Sequence, residues 1–231
     1  MDTSAIENYC AQHTSAPDDT LRSVYRSIAL HTVNPNMSSS PYQGVLLQLF
    51  TQMTAPAIAV EIGSFAGYGA ISIARGMPAG GIIHVIEANE EYEETILHHA
   101  QMASVSDRIR LHIGQALSII PILPDGIGLA FIDADKTNYE NYYRLLLPKM
   151  RPGGILIFDN MLWYGRVMEE PETQLRCDRS TRIIQHLNDL ITADPRVDNI
   201  LLPVRDGLML CRVVDANNSH QIIKRHYLSQ K

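Results

Sequence analysis

After Pro56 the sequence alternates between short apolar runs and longer amphipathic segments, and this alternation constrains the fold more than any other feature. Each apolar run predicts a strand, and each segment between two runs predicts a helix. The predicted strands are 57–62, 82–86, 108–113, 129–133 and 155–158, and the predicted helices are 69–76, 90–104, 116–123, 138–150 and 179–192. Such regular alternation predicts an α/β fold with a doubly wound, mostly parallel sheet.

The two ends of the chain depart from this pattern. The segment from about 1 to 55 predicts helices, one beginning at the capping pair Asp18-Asp19 and another beginning at Pro41. At the other end, apolar runs over 197–204 and 208–214 flank Asp206-Gly207, which predicts a closing antiparallel hairpin. With no repeat and no linker, the sequence favours a single domain spanning 1–231.

Composition argues against several classes of protein. The net charge of −6 argues against nucleic-acid binding, which requires a basic face. No apolar run approaches the roughly 20 residues of a membrane span. The N-terminus shows no basic and apolar segment of a secretory signal. Cys10, Cys177 and Cys211 are widely spaced, as expected for reduced thiols in a cytoplasmic protein without a zinc site. His98-His99 lies in a Glu-rich helical run and predicts a surface pair.

Oxygen-bearing side chains follow two of the predicted strands. Asp133 is the last residue of the predicted strand 129–133, and Asp159 and Asn160 follow the predicted strand 155–158. In an open α/β sheet these strand ends meet at one edge, where ligands bind. Three oxygen donors without thiolate or imidazole suit a hard divalent cation such as Mg²⁺ or Ca²⁺. The alternative is that these are ordinary turn residues and that neighbouring Lys136 is a solvated lysine.

A glycine-rich turn follows the first predicted strand, in the order Gly63, Gly67 and Gly69. Its G-x-x-x-G-x-G spacing differs from the G-x-G-x-x-G of dinucleotide-binding turns. Glu61, just before the first glycine, would repel a pyrophosphate and attract a cationic ligand such as S-adenosylmethionine. Glu87 ends the second predicted strand, where an acid commonly accepts hydrogen bonds from a ribose diol.

Five motifs together resemble those of the cation-dependent class I O-methyltransferases, the group of plant caffeoyl-CoA O-methyltransferases, animal catechol O-methyltransferase and their bacterial relatives. The motifs are EIGSFAGYG, VIEANEE, FIDADKTNYENYY, RPGGILIFDNMLWYGRV and DPRVDNILLPVRDGLMLCR, and the resemblance covers about 37–213. It implies a seven-stranded sheet, S-adenosylmethionine, a divalent cation (Mg²⁺ ahead of Ca²⁺ or Mn²⁺) and a homodimer.

The resemblance also implies roles for individual residues. Lys136 matches the proposed general base, and Asp133, Asp159 and Asn160 match the metal ligands. Trp163 and the loop after it match the wall of the acceptor site. Asn188 is a further candidate for contact with the acceptor, from its place on the last predicted helix rather than from the resemblance. The implied cofactor contacts are Met37, Ser39, Glu61, Gly63, Phe65, Tyr68, Gly69, Glu87, Gln115, Ala116 and Asp133.

One departure from the family pattern concerns the glycine-rich turn, which has Ala66 and Gly69 where the family often has Ser or Thr. The missing hydroxyl at Gly69 removes an expected contact to the cofactor carboxylate.

The expected function is methyl transfer from S-adenosylmethionine to a hydroxyl of a small, catechol-like aromatic. A nicotinamide-dependent oxidoreductase and a non-catalytic small-molecule-binding protein on the same sheet remain alternatives.

Overall fold

A seven-stranded sheet forms the centre of the molecule, in the order β3-β2-β1-β4-β5-β7-β6. The structure is a computed structural model and describes residues 3–168 and 179–215. The strands are β1 (Ile58–Ile62), β2 (Ile82–Glu87), β3 (Ile109–Ile113), β4 (Ile127–Ile132), β5 (Met150–Phe158), β6 (Val197–Leu202) and β7 (Leu208–Val213). The α-helices of the described residues are α1 (Thr3–Gln12), α2 (Asp19–His31), α3 (Pro41–Thr54), α4 (Tyr68–Gly76), α5 (Glu93–Met102), α6 (Ala116–Ile119), α7 (Tyr139–Leu146) and α8 (Arg179–Ala193).

The strand pairing confirms the predicted doubly wound sheet with an antiparallel end. Strands β3, β2, β1, β4 and β5 pair in parallel, whereas β7 runs antiparallel to both β5 and β6. The predicted hairpin is present: Gly207 adopts φ 90° and donates its N–H to the Val204 carbonyl at 2.9 Å. That left-handed conformation is the reason why a glycine suits this turn.

Helices cover both faces of the sheet, so two apolar cores form. On β1, Val60 and Ile62 face the core beneath α6, α7 and α8, while Ala59 faces the core beneath α2, α3 and α4. This alternation follows from the two-residue side-chain period of a strand. Because both faces are buried at the centre of the sheet, β4 is an uninterrupted run of buried, apolar residues.

Local signals explain where several helices begin and end. Asp18 caps α2 by accepting the Leu21 N–H at 2.9 Å, and Ser40 caps α3 ahead of Pro41. The helix predicted over 138–150 ends early, because Pro148 lies in a 3₁₀ turn at Leu147–Lys149. Proline has no N–H to continue an α-helix, and β5 starts at Met150, five residues before the predicted strand.

The strand order places the site. β1 lies between β2 and β4, so the chain winds outwards in both directions from β1. A crevice forms at such a switch point, beyond the carboxyl ends of the strands. Within residues 3–168 and 179–215, none of the helices is long and apolar enough to cross a membrane.

Candidate active site

A cavity of about 790 Å³ lies at the carboxyl ends of β1, β2, β4 and β5. This volume suits a nucleoside-sized ligand together with a small second molecule. Ten of the residues predicted from sequence to form the site line it: Met37, Gly63, Phe65, Glu87, Gln115, Ala116, Asp133, Lys136, Asp159 and Asn160. The fold therefore brings both predicted parts of the site into one space.

Gly63 forms the tight turn at the end of β1. It adopts φ 83°, and its N–H donates to the Ile86 carbonyl at 2.9 Å. A Cβ atom at this position would lie 2.1 Å from the backbone oxygen of Asp133. Only glycine therefore allows the turn after β1 to pack against the residue that follows β4.

Glu87 holds the glycine-rich turn in place from the end of β2. Its Oε2 accepts the Phe65 N–H at 2.8 Å, and its Oε1 accepts the Asn89 N–H at 2.9 Å. The first of these bonds holds Phe65, which adopts a left-handed conformation at φ 53°. A carboxylate has about four acceptor positions, so Glu87 can also accept hydrogen bonds from a ligand diol in the cavity it lines.

Four predicted cofactor residues lie behind the wall of the cavity in this structure: Ser39, Glu61, Tyr68 and Gly69. Glu61 is 1% exposed and accepts the Ser64 hydroxyl at 2.5 Å. Burial raises the pKa of Glu61 to about 8, and the Ser64 hydrogen bond opposes this shift. A Cβ at Gly69 would lie 2.2 Å from Glu61 Oε1, so a larger residue at position 69 would clash with that carboxylate. Tyr68 packs its ring edge against Tyr25, with ring centroids 5.5 Å apart.

Two carboxylates and one amide meet beyond β4 and β5. Asp159 is 2% exposed, with Oδ2 accepting from Gln43 Nε2 at 2.6 Å and Oδ1 accepting from the Asn160 N–H at 2.7 Å. Burial, followed by the charge of Asp159, raises the pKa of Asp133 to about 6, while Lys136 opposes the shift. Asn160 adopts φ 61°, a left-handed conformation that asparagine tolerates.

This donor set fits a hard divalent cation, because two mutually repelling carboxylates and an amide oxygen are all oxygen ligands. No group of three or more His, Cys, Asp and Glu side chains in the described part of the chain is arranged to hold a metal ion. The predicted set has two carboxylates, with Asn160 as its third member.

Lys136 is held in place rather than solvated. Its Nζ lies 3.3 Å from Asp133 Oδ1 and 2.5 Å from the Tyr139 hydroxyl, and its side chain is 11% exposed. Nζ also lies 4.5 Å from the centre of the Tyr139 ring. Burial raises the pKa of Tyr139 well above its usual value, so the phenol stays neutral and can donate to the Asp159 carbonyl at 3.2 Å. The alternative of a freely solvated lysine does not fit these contacts.

Trp163 and Asn188, the two residues predicted to contact the acceptor, lie outside the lining of the cavity. Trp163 packs against the apolar core, and its buried indole Nε1 has no hydrogen-bond partner among the described residues. Asn188 donates to the Met161 carbonyl at 3.1 Å and so supports the segment after β5. Neither lines the described cavity. The predicted loop after Trp163, beyond Met168, and Cys177 lie outside the described residues.

Sequence reasoning missed several residues that the fold brings to the cavity. Tyr142, Tyr164 and Arg205 line it, and Gln43 binds Asp159 from the N-terminal turn of α3. Sequence gives no signal for Gln43, since it lies 116 positions from its partner. Arg205 had one available signal, its place directly before the Asp-Gly hairpin turn.

The predicted surface pair His98-His99 is wrong for its second member. His99 is 2% exposed, with Nδ1 2.9 Å from the Ala66 carbonyl and Nε2 3.0 Å from the Ser27 hydroxyl. It connects the glycine-rich turn to α2. Only His98 remains exposed.

Comparison with known proteins gives one consistent result. A family model described as O-methyltransferase matches residues 12–214. Caffeoyl-CoA O-methyltransferase 1 from Eucalyptus globulus is 36% identical over 183 residues, which cover 76% of this chain and 74% of that protein. Flavonoid 3′,5′-methyltransferase from Vitis vinifera is 32% identical over 178 residues, which cover 74% and 76% of the two chains.

A solved structure agrees with these relatives. The O-methyltransferase from Bacillus cereus, crystallised in complex with SAH, superimposes with a TM-score of 0.81 and 30% identity, covering 90% of this chain and 97% of that one. The chain thus belongs to the O-methyltransferase family and is a class I, S-adenosylmethionine-dependent member of it.

Proposed function

We propose that this protein transfers a methyl group from S-adenosylmethionine to one hydroxyl of a small, catechol-like aromatic, with the help of a divalent cation. The observation that carries the proposal is one cavity with two chemically different ends. Glu87 and the glycine-rich turn border one end, and Asp133, Lys136, Asp159 and Asn160 border the other.

The residues at the first end suit the methyl donor. Glu87 would accept from the ribose diol, with its orientation already fixed by two backbone N–H groups. Gln115 and Ala116 would lie along the adenine, because they begin α6 directly beyond β3. S-adenosylmethionine, when bound, supplies an electrophilic methyl group that passes to the acceptor oxygen by in-line displacement as the carbon–sulfur bond breaks.

The residues at the second end suit an acceptor whose hydroxyl must lose a proton. A phenol has a pKa near 10, so little of the nucleophilic anion exists at neutral pH. A divalent cation held by Asp133, Asp159 and Asn160 would stabilise the acceptor's anion and fix the direction of two vicinal oxygens. Gln43 and the Asn160 N–H orient the Asp159 carboxylate for that task.

Lys136 is the proposed general base. The Tyr139 hydroxyl and Asp133 fix its Nζ at the edge of the cavity, within reach of the proposed cation site. A base already placed next to the reacting hydroxyl needs no reorganisation as the proton moves.

The relatives support a phenolic acceptor in general terms. One is named for caffeoyl-CoA and another for flavonoids, and both names imply aromatic hydroxyl substrates. Neither fixes the acceptor of this chain. A catechol is favoured because two vicinal hydroxyls would occupy two coordination positions of the proposed cation.

The deciding experiment is a panel of catechols and matched monophenols, incubated with S-adenosylmethionine and analysed by mass spectrometry. We expect a mass gain of one methyl group on catechols with Mg²⁺, loss of product with excess EDTA, and recovery when Mg²⁺ is restored. Equal turnover in excess chelator after dialysis would disprove the cation dependence. Methylation of monophenols at the same rate would disprove the requirement for vicinal hydroxyls.

Two further measurements address the alternatives and the assembly. Thermal stabilisation by NADH rather than by S-adenosylmethionine would favour the oxidoreductase, and binding without turnover of any acceptor would favour the non-catalytic protein. We also propose a cytoplasmic homodimer. Light scattering should give twice the chain mass, and a monomer at micromolar concentration would refute it.

A further inference from the structure

Arg205 occupies an unusual backbone position at the rim of the cavity. It adopts φ 51°, in the left-handed region that disfavours most residues with a Cβ. The β6–β7 turn that carries it is fixed to the segment after β5. The Met161 N–H donates to the Gly207 carbonyl at 3.0 Å, and the Leu162 N–H donates to the Asp206 carbonyl at 2.8 Å. The turn is therefore anchored beside Asn160, with Arg205 directed to the cavity that it lines.

The guanidinium of Arg205 has a neutral partner. Nη1 donates to Oε1 of Gln43, whose Nε2 in turn donates to Asp159. Within 3–168 and 179–215, no carboxylate forms a salt bridge with Arg205. A guanidinium has five N–H donors in a planar fork, so one bond to Gln43 leaves donors for a ligand.

Lys136 is the other cation that lines the described cavity, and it is already engaged by Asp133 and Tyr139. Arg205 is therefore the cation at this end of the cavity that remains available to an anion from outside.

We infer that Arg205 determines acceptor specificity by binding a carboxylate on the side chain of the aromatic acceptor. The inference rests on the proposed function and narrows its substrate class to catechols that carry an anionic substituent. The guanidinium lies one side chain away from Asp159, through Gln43, so a catechol held at the proposed cation site would direct its substituent towards the rim. Carboxylate and guanidinium match in geometry, because two parallel N–H donors meet two oxygens.

The test uses a matched acceptor pair, 3-(3,4-dihydroxyphenyl)propanoate and its methyl ester. The saturated side chain insulates the ring, so both phenols have similar acidity and differ mainly in charge. We expect the parent enzyme to prefer the acid over the ester by about 10- to 30-fold in kcat/KM, the range of one charge-assisted contact. Calorimetry of both compounds on the enzyme loaded with S-adenosylhomocysteine and Mg²⁺ should show the same order of affinity.

Three variants test whether the preference for the acid over the ester depends on Arg205. Arg205→Asn keeps a residue that tolerates a left-handed backbone, and it should bring the preference to about one, mainly by raising KM for the acid. Arg205→Lys keeps the charge without the fork and should retain part of the preference. Arg212→Asn is the matched control on β7, where the arginine is 56% exposed and pairs with Asp198, and it should keep the parent preference.

The outcomes distinguish a failure of the proposed methyl transfer from a failure of the role of Arg205. If the parent methylates neither compound nor any catechol, the proposed function fails. If it methylates both equally, or if Arg205→Asn keeps the parent preference, only the role of Arg205 is overturned. An equal loss for acid and ester, together with weaker Mg²⁺ binding, would also overturn it, since Arg205 would then serve only to orient Gln43 against Asp159.

Discussion

The two ends of the cavity differ in how their acidic groups are compensated: a proposed donor end bordered by Glu87, and a proposed acceptor end bordered by Asp133 and Asp159. At the donor end, Glu87 accepts the Phe65 N–H of the glycine-rich turn at 2.8 Å and the Asn89 N–H after β2 at 2.9 Å. At the acceptor end, Asp133 and Asp159 repel each other, and Lys136 and the amide of Gln43 are among their close polar contacts. At the donor end, backbone N–H groups thus compensate the carboxylate, whereas the acceptor end concentrates negative charge.

This difference teaches how one cavity can combine a defined nucleoside site with a reactive centre. Backbone hydrogen bonds fix the shape of this end and offset the charge of Glu87, which suits recognition of the uncharged adenosine part of the cofactor. Closely spaced carboxylates give a strong local field, which suits a cation. The two ends meet where Gly63 contacts the backbone of Asp133, so they share one rigid boundary.

The largest expected effect comes from removing one acid of the acceptor end. Asp159→Ala should lower kcat/KM on the order of 1,000-fold, because the proposed cation contributes several kcal/mol to the transition state. Calorimetry should show weakened Mg²⁺ binding with S-adenosylhomocysteine affinity within about threefold of the parent. Asp198→Ala is the control, because this partly buried carboxylate on β6 pairs with Arg212 and does not line the cavity. If cofactor binding fell together with Mg²⁺ binding, the two ends would not be separable.

The next largest effect is expected at Lys136, where a substitution tests whether this residue of the acceptor end acts as a base or only orients the site. Lys136→Met should lower kcat by at least about 100-fold, while cofactor affinity changes little, since a general base acts in the transition state. The loss should shrink for catechols with more acidic hydroxyls, because they need less help with deprotonation. A uniform loss across that series would assign Lys136 an orienting role. A kcat within about twofold of the parent would remove it from the mechanism.

Glu87 provides the reciprocal test at the donor end. Glu87→Ala should weaken S-adenosylhomocysteine binding about 30- to 100-fold, because hydrogen bonds to a carboxylate contribute about 2–3 kcal/mol. Calorimetry measures this, with Glu94→Ala on the exposed surface of α5 as the control. Mg²⁺ binding should stay close to that of the parent. Unchanged cofactor affinity would show that the ribose lies elsewhere.

The smallest effect on turnover is expected at Glu61, whose influence falls on folding. Its pKa is raised from 4.5 to about 8 by burial, so its contribution to stability is complete below pH 4.5 and is lost as the pH rises through 8. Chemical denaturation between pH 5 and 9 should show stability falling by on the order of a few kcal/mol. Glu61→Gln should flatten this dependence, whereas the control Glu94→Gln should not. An equally steep fall in Glu61→Gln would assign the effect to another group.

Much of the fold could be predicted because its signals are local. Strand and helix alternation, the cap at Asp18, the first-turn proline Pro41 and the Asp-Gly turn each depend on residues within a few positions of one another. The early end of the helix predicted over 138–150 shows the limit, since Pro148 stops the α-helix and lets β5 begin at Met150. His99 shows another: a polar residue in a Glu-rich helix is buried because α2 packs over it.

The candidate site was predictable to the extent that its residues follow strands. Asp133, Asp159, Asn160 and Glu87 stand at strand ends, and the parallel order of the sheet brings them together. Asp135 belongs to the same motif, but its Oδ1 accepts the Tyr142 hydroxyl at 2.5 Å and its Oδ2 accepts from Asn138 at 2.7 Å, which ties it to the start of α7. Sequence alone does not distinguish an acid of the proposed cation site, such as Asp133, from one that forms structural hydrogen bonds, such as Asp135.

The sequence by itself determined the class of fold, the hairpin at its end and the chemical types that follow the strands, because side-chain period and turn residues are encoded locally. Only the tertiary structure decided which side chains share the cavity. Gln43 reaches Asp159 across 116 positions, and Arg205 reaches Gln43 across 162. Trp163 and Asn188 instead support the segment beyond β5 from the core side. The physical reason is that such contacts depend on how helices and turns pack around the sheet, and no local pattern in the chain specifies that packing.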